Sequence, residues 1–299
     1  MKKITFLSSF FIKVFAILFM SMDHIGMFLT MEFSSNAEIM ILASVFRIFG
    51  RLALPLFAFM IVEGVLHTKN FNKYMLRLGI MASLISLVFI TLEYIKPMPG
   101  FSIMYRAGNI FLDLTLLAVA IYFIKHKNKY LRLITLLPLA FSALSFIVKG
   151  IETAQNIDIH WFPYFLTMQY DWLTIVLGLA FYFSYLLADQ YIKYLQPVSG
   201  QDKEMWITNG NYRFLVNLIA VLLGSIVHIF YYLMVYMWPE GVFWDAGSQA
   251  YALITGAFIL LYSGKRGYNA KWFQYGSYLY YPLHIAVLAI IAVIMSGGL

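Results

Sequence analysis

Nine apolar runs, most of them near the ~20 residues that a helix needs to cross hydrocarbon, divide this chain from end to end. They lie at about 6–29, 39–62, 73–95, 108–124, 129–148, 170–188, 212–237, 248–262 and 275–296. The fourth and eighth are short, so the count ranges from roughly eight to ten at the usual span length. Backbone polar groups in lipid must be satisfied within the chain, which leaves only helices and closed barrels as spanning structures. A barrel would show segments of ~10 residues with alternating polarity, and the sequence has none. The expected fold is therefore all-α, a polytopic transmembrane helix bundle of about nine spans. No internal repeat or linker marks a second unit, so residues 1–299 read as a single integral-membrane domain.

Charged residues make up only 12% of the chain, about half the share in soluble proteins. There is no cysteine, which excludes disulfides, thiolate nucleophiles and cysteine metal sites. The net charge of +7 is informative through its distribution between loops, and no nucleic-acid partner is expected from it. Met1-Lys2-Lys3 before an apolar run imitates a signal peptide. No small-residue cleavage site follows, so a retained first helix is expected.

Alternate connections carry Lys2 and Lys3; Lys69, Lys73 and Arg77; Lys125, Lys127, Lys129 and Arg132; Lys193, Lys203 and Arg213; and Lys265, Arg266 and Lys271. These fifteen basic residues stand against three, Lys96, Arg106 and Lys149, on the opposite side. The positive-inside rule then predicts a multi-pass protein of the cytoplasmic membrane, with its N-terminus in the cytoplasm and its C-terminus outside.

Lys13, Asp23, Arg47, Arg51 and Asp113 fall inside predicted spans, with Glu63 near the cytoplasmic end of the second. Each centrally placed ion costs about 2.5–3.5 kcal/mol to insert, so these groups must face one another or a wet cavity. Counting 1.5 Å per residue, His24 lies roughly 7–8 Å below the outer end of the first helix. Arg47 and Arg51 lie about 12 and 18 Å deep from the same side. Asn109 and Asp113 share one face in the outer half of the fourth span, and His284 comes out near mid-membrane. Lys13 and His24 are eleven residues apart, close to three whole turns, so they share a face with Lys13 roughly 16 Å nearer the cytoplasm. This stripe suggests a path through the bundle.

Each motif has a structural and a chemical reading. Asp23-His24-Ile25-Gly26 is either a helix-packing pair, with Asp23 bridged to Arg47 or Arg51, or the seat of a general base at His24. Asp23 lies 100° from His24 around the helix and is poorly placed to orient it. Arg47 and Arg51, one turn apart and followed by Pro55, either balance Asp23 or Asp113 or stabilise a developing oxyanion. Glu63, His67, Lys69, Lys73 and Arg77 surround the first cytoplasmic turn. They suit a phosphate-bearing ligand, or simply satisfy the charge rule. Glu63 and His67 alone do not make a metal site, and none is expected. Tyr280-Tyr281-Pro282-Leu283-His284 places a histidine after a helix break, which usually lies where a cavity or neighbour satisfies the freed carbonyl. The loop at 150–171, with Asp158, His160 and Trp161, is a candidate acceptor contact.

With these residues in place the sequence resembles the TraX family of membrane acetyltransferases, named for acetylation of a conjugative pilin. The matching stretches are Asp23 to Gly26, the block Arg47 to Arg77, Asn109 with Ile110-Phe111, and Tyr280 to His284. The family is in turn similar to the acyltransferase-3-like transmembrane acyltransferases, which carry an arginine, ten residues and a histidine in the first helix; here Lys13 and His24 keep the spacing with a lysine. The resemblance implies acetyl-CoA as acyl donor, bound from the cytoplasm near Lys13, His67, Lys69, Lys73 and Arg77. It also implies an extracytoplasmic peptide or glycan acceptor. His24 would serve as base, Arg47 or Arg51 as oxyanion stabiliser, Asp23 or Asp113 as charge balance, with His284, Asn109, Glu63 and Tyr281 as further polar groups. The competing class is a transporter or flippase with an intramembrane Asp/Arg/His pathway, which internal repeats would favour.

Overall fold

The structure, a computed structural model, describes residues 5–95, 108–155, 157, 159, 161–237 and 249–295. Lys2, Lys3, Lys96, Arg106, Asp158 and His160 lie outside the described residues.

Helices occupy every predicted span. They are α1 (Ser9–Glu32), α2 (Ala37–Gly50), α3 (Ala53–His67), α4 (Phe71–Ile95), α5 (Ile110–Ile124), α6 (Lys129–Arg132), α7 (Leu136–Gln155), α8 (Trp172–Ser199), α9 (Lys203–Thr208), α10 (Asn211–Met237), α11 (Thr255–Leu260) and α12 (Lys271–Met295). A 3₁₀ turn, Leu133–Thr135, joins α6 to α7, and another, Ala250–Ile254, leads into α11. Among the described residues, six helical segments are long and apolar enough to cross a membrane: Ser9–Glu32, Ala37–His67, Phe71–Thr91, Lys129–Glu152, Trp172–Ser199 and Asn211–Met234. The expected nine is looser than that, because Ile110–Ile124 and Ala250–Leu260 are short.

The second predicted span is bent. Pro55 has no N–H and its ring crowds the carbonyl four residues back, so the helix turns at Arg51-Leu52 and resumes as α3. Thr255 Oγ1 reaches the Leu52 carbonyl at 3.5 Å from the start of α11. Asn36 starts α2 by accepting from the Glu38 and Ile39 amides, both at 3.1 Å, the usual work of an N-cap.

The core lies between α1, α3, α5 and α8, where Ile12, Ala16, Leu56, Val65, Leu117, Ile121, Leu173, Leu177 and Phe181 are fully or almost fully buried. The outer helices turn large apolar side chains outward: Leu84 and Leu87 on α4, Leu222 and Ile226 on α10, Leu283 and Val287 on α12. In water such a surface would be an aggregation hazard; in a helical membrane bundle it is the face that meets acyl chains.

The start of α1 is strapped to the segment between α11 and α12. The amides of Phe6 and Leu7 donate to the Leu261 carbonyl, Ser9 to Lys265, and Ser263 back to Leu7. Because the two helices set out from one strap, they run parallel. Lys13 meets Phe273, and eleven residues further along both helices His24 meets His284.

Candidate active site

α1 and α2 pack as an antiparallel hairpin closed by residues 33–36, and glycine sets how near they come. A Cβ on Gly26 would meet the Ala43 carbonyl oxygen at 2.8 Å, and one on Gly50 would collide with Asp23. That close approach brings Asp23 against both arginines. Arg47 Nη1 donates to Asp23 Oδ2 at 3.0 Å, and Arg51 Nη2 pairs with Oδ1 at 3.2 Å. Arg51 and Asp23 are buried, while Arg47 is partly open. Buried ion pairs of this kind are strongly destabilised when one partner is removed.

His24 is buried beside this set and is oriented by another helix. Its Nδ1 lies 2.7 Å from His284 Nε2. His284 Nδ1 lies 2.8 Å from the Tyr280 carbonyl. A carbonyl only accepts, so His284 Nδ1 carries the proton and its Nε2 is the acceptor. His24 Nδ1 is then the donor between the rings, and His24 Nε2 holds a lone pair. No hydrogen bond occupies that nitrogen among the described residues. Tyr280 stacks on His284 at 5.0 Å between ring centroids and shares a 2.7 Å hydrogen bond with Ser21 of α1. Since Ser21 Oγ already donates to the Ile17 carbonyl at 2.8 Å, the Tyr280 hydroxyl is the donor. The ring of Tyr281 completes the wall, edge-on to His24, His284 and Phe111.

Asp23, His24, Arg47, Arg51, Tyr281 and His284 therefore converge. Asp113 does not join them as a counter-ion. Its two oxygens accept from the amides of Gln169 (2.7 Å) and Tyr170 (2.9 Å) and from the Thr174 hydroxyl (3.0 Å). It pairs with neither arginine and instead pins the turn that leads into α8. Asn109 is also structural: it caps α5 through the Phe111 and Leu112 amides and donates to the Ala82 carbonyl and Ser86.

Glu63 lies apart, in a second buried cluster at the Lys13 end. Arg213 grips it with both nitrogens at 2.9 and 3.1 Å, while Tyr185 and Tyr262 donate their hydroxyls to it. Helices α3, α8 and α10 and the chain after α11 are thus tied at one point. His67 caps α3 through the Glu63 carbonyl at 2.9 Å and is otherwise exposed. Lys13 lies over the Phe273 ring at 5.7 Å and within the field of Arg77. Lys69 and Lys73 are exposed, and Arg77 is half-buried with its Nε on the Lys73 carbonyl at 3.2 Å.

Sequence reasoning missed Arg213, Tyr185 and Tyr262. A carboxylate at position 63 of an apolar helix demands a cation, and that demand is the signal that could have drawn Arg213 out of the connection to which the charge count assigns it. Lys149, expected in an outer connection, lies inside α7, where it pairs with Asp171 and donates to the Met168 carbonyl at 2.8 Å. Ser145 Oγ completes this outer cluster by donating to Asp171 at 2.6 Å.

The TraX protein profile matches residues 8–292, which contain every residue of the convergent set. The probable fimbrial assembly protein FimC, serogroup H1, of Dichelobacter nodosus is 28% identical over 287 residues, covering 94% of each chain. No solved structure matches significantly.

Proposed function

The chain belongs to the TraX family, and from that premise we propose that it transfers an acetyl group from acetyl-CoA, bound from the cytoplasm, to an amine or hydroxyl acceptor outside. The observation that carries this reading is the histidine pair. His284, held by the Tyr280 carbonyl, fixes the His24 tautomer so that Nε2 is the basic nitrogen. That is the arrangement a general base requires: a lone pair with hydrogen-bonding capacity to spare, on a ring whose other nitrogen is held.

The acceptor attacks the thioester carbonyl carbon while His24 Nε2 takes its proton. Negative charge develops on the carbonyl oxygen, and the guanidiniums of Arg47 and Arg51 stabilise it electrostatically. The intermediate collapses, the carbon–sulfur bond breaks, and the proton on His24 passes to the departing thiolate. In the orientation proposed, Lys13, Arg77, Lys69, Lys73 and His67 face the cytoplasmic membrane's inner side. Lys13 and Arg77 present two cations to one region, which suits the donor's phosphates. The name of the Dichelobacter relative supports a pilin or other peptide terminus as acceptor, ahead of a surface glycan.

Purified protein should bind acetyl-CoA directly, and envelope peptides from cells carrying it should gain 42 Da (roughly one acetyl group in place of one proton, consistent with acyl transfer to a nucleophile). No binding, with identical peptide masses in cells with and without the protein, would reject the proposal.

A further inference from the structure

We propose that the cavity bounded by α3, α8, α10 and α11 is a hydroxyl-binding site. It takes one hydroxyl group, from a membrane alcohol or a buried water, as hydrogen-bond donor to His228 Nε2. The site shares no residue with the convergent set around His24 and does not depend on acetyl transfer.

His228 lies on α10 with only 4% of its surface exposed. Its Nδ1 lies 2.8 Å from the Gly224 carbonyl, one turn back on the same helix. A carbonyl only accepts, so Nδ1 carries the proton and Nε2 keeps a lone pair. That nitrogen is buried and has no hydrogen-bond partner among the described residues. An acceptor in this condition bears the full desolvation penalty of the group. A phenylalanine would fill an apolar wall without that penalty, so the ring nitrogen implies a donor.

His228 lines a cavity of about 20 Å³, more than the ~10–15 Å³ that one water-sized group needs. Ser225 of α10 and Thr255 of α11 line it as well, and each hydroxyl both donates and accepts. Thr255 directs its proton at the Leu52 carbonyl at 3.5 Å and keeps its lone pairs. Most of the remaining wall is apolar, including Pro55 of α3, Phe181 of α8 and Leu253, and no charged residue lines it.

This lining selects its guest. A carboxylate or phosphate would find no cation here and would bring no proton for Nε2. An ammonium would be a buried ion without a counter-ion, which is prohibitively costly. A carbonyl cannot donate. A hydroxyl does both things the wall asks, donating to His228 and accepting from Ser225. Leu253 also faces outward, as do Leu222 and Ile226 on α10, so the alkyl chain of a membrane alcohol has an apolar edge to lie along. A water makes the same hydrogen bond without a chain. The cavity also borders the turn between α2 and α3, because Pro55 follows that turn and Thr255 holds its Leu52 carbonyl. The same turn carries Arg51 to Asp23.

The test uses full-length protein with isotope-labelled histidine in phosphatidylcholine nanodiscs, read by solid-state NMR. The His228 signal is assigned by its absence from His228→Phe, or from His228→Gln should the first variant fail to fold. The probes are 1-octanol, labelled at its hydroxyl-bearing carbon, and octane, labelled at a terminal carbon. We expect Nε2 to be unprotonated and to accept a hydrogen bond. Dephasing of the Nε2 signal by octanol and not by octane would identify a membrane alcohol as the donor. Polarisation transfer from water to Nε2, without dephasing by octanol, would identify a buried water. Neither signal, or equal dephasing by octanol and octane, would overturn the assignment and leave the cavity a packing gap.

Discussion

His24 Nδ1 and His284 Nε2 lie 2.7 Å apart, although 260 residues separate them. Two helices starting from one backbone strap and running parallel bring them to the same level. The contact gives the first helix a basic nitrogen and the last helix the task of aiming it. His284→Ala should therefore behave as a positioning defect. Turnover should fall about 10–100-fold, below the full general-base contribution of 10²–10⁴, with KM for acetyl-CoA little changed. Steady-state kinetics on protein of matched Tm would check this.

Asp23→Asn would leave two guanidiniums without their shared carboxylate. Removing one partner of a buried pair costs about 3–5 kcal/mol, so the variant should unfold at markedly lower temperature in detergent. A double variant, Asp23→Asn with Arg51→Gln, should lose less than the sum of the single losses, because the second change removes the charge that the first exposed. Additive losses would mean that the pair is not coupled.

The hairpin of α1 and α2 carries its own prediction. Gly50→Ala places a methyl group on Asp23, forcing the helices apart and disturbing both arginine contacts. Overpacking of this kind costs typically 1–3 kcal/mol. Thermal unfolding should show that loss, and activity should fall with it, whereas Gly276→Ala, with nothing within 4 Å of the added carbon, should be silent.

Glu63 and Arg213 supply a stability test away from the chemistry. Glu63→Gln leaves Arg213 buried with its charge, and a loss of about 3–5 kcal/mol is expected. The double variant Glu63→Gln with Arg213→Met should recover part of it. Tm values of the three proteins in one detergent decide the matter.

Much of this architecture was legible in the sequence. The helices fall where apolar runs of spanning length predict them, the second span breaks where Pro55 removes an amide, and Asp23 pairs with the arginines expected of it. What stayed hidden is long-range. Nothing local to Lys13–Gly26 or Tyr280–His284 encodes that the first and last helices dock in parallel, so the histidine pair had no signal. By sequence alone Arg213 and Lys149 group with the loops, because a basic residue near a helix end looks the same whether it reaches for water or turns inward to a carboxylate. Asp113 is, with Asp23, one of two acids the sequence offers to balance an arginine, yet backbone amides of a turn more than fifty residues away satisfy it.

The central claim is that His24 acts as the base for acetyl transfer. Its most direct test is the rate of acetyl transfer from acetyl-CoA to a peptide α-amine by reconstituted parent and His24→Ala proteins, matched for insertion and Tm. The account predicts transfer by the parent and a loss of at least about 10²-fold in the variant. Equal rates in the two proteins would contradict it.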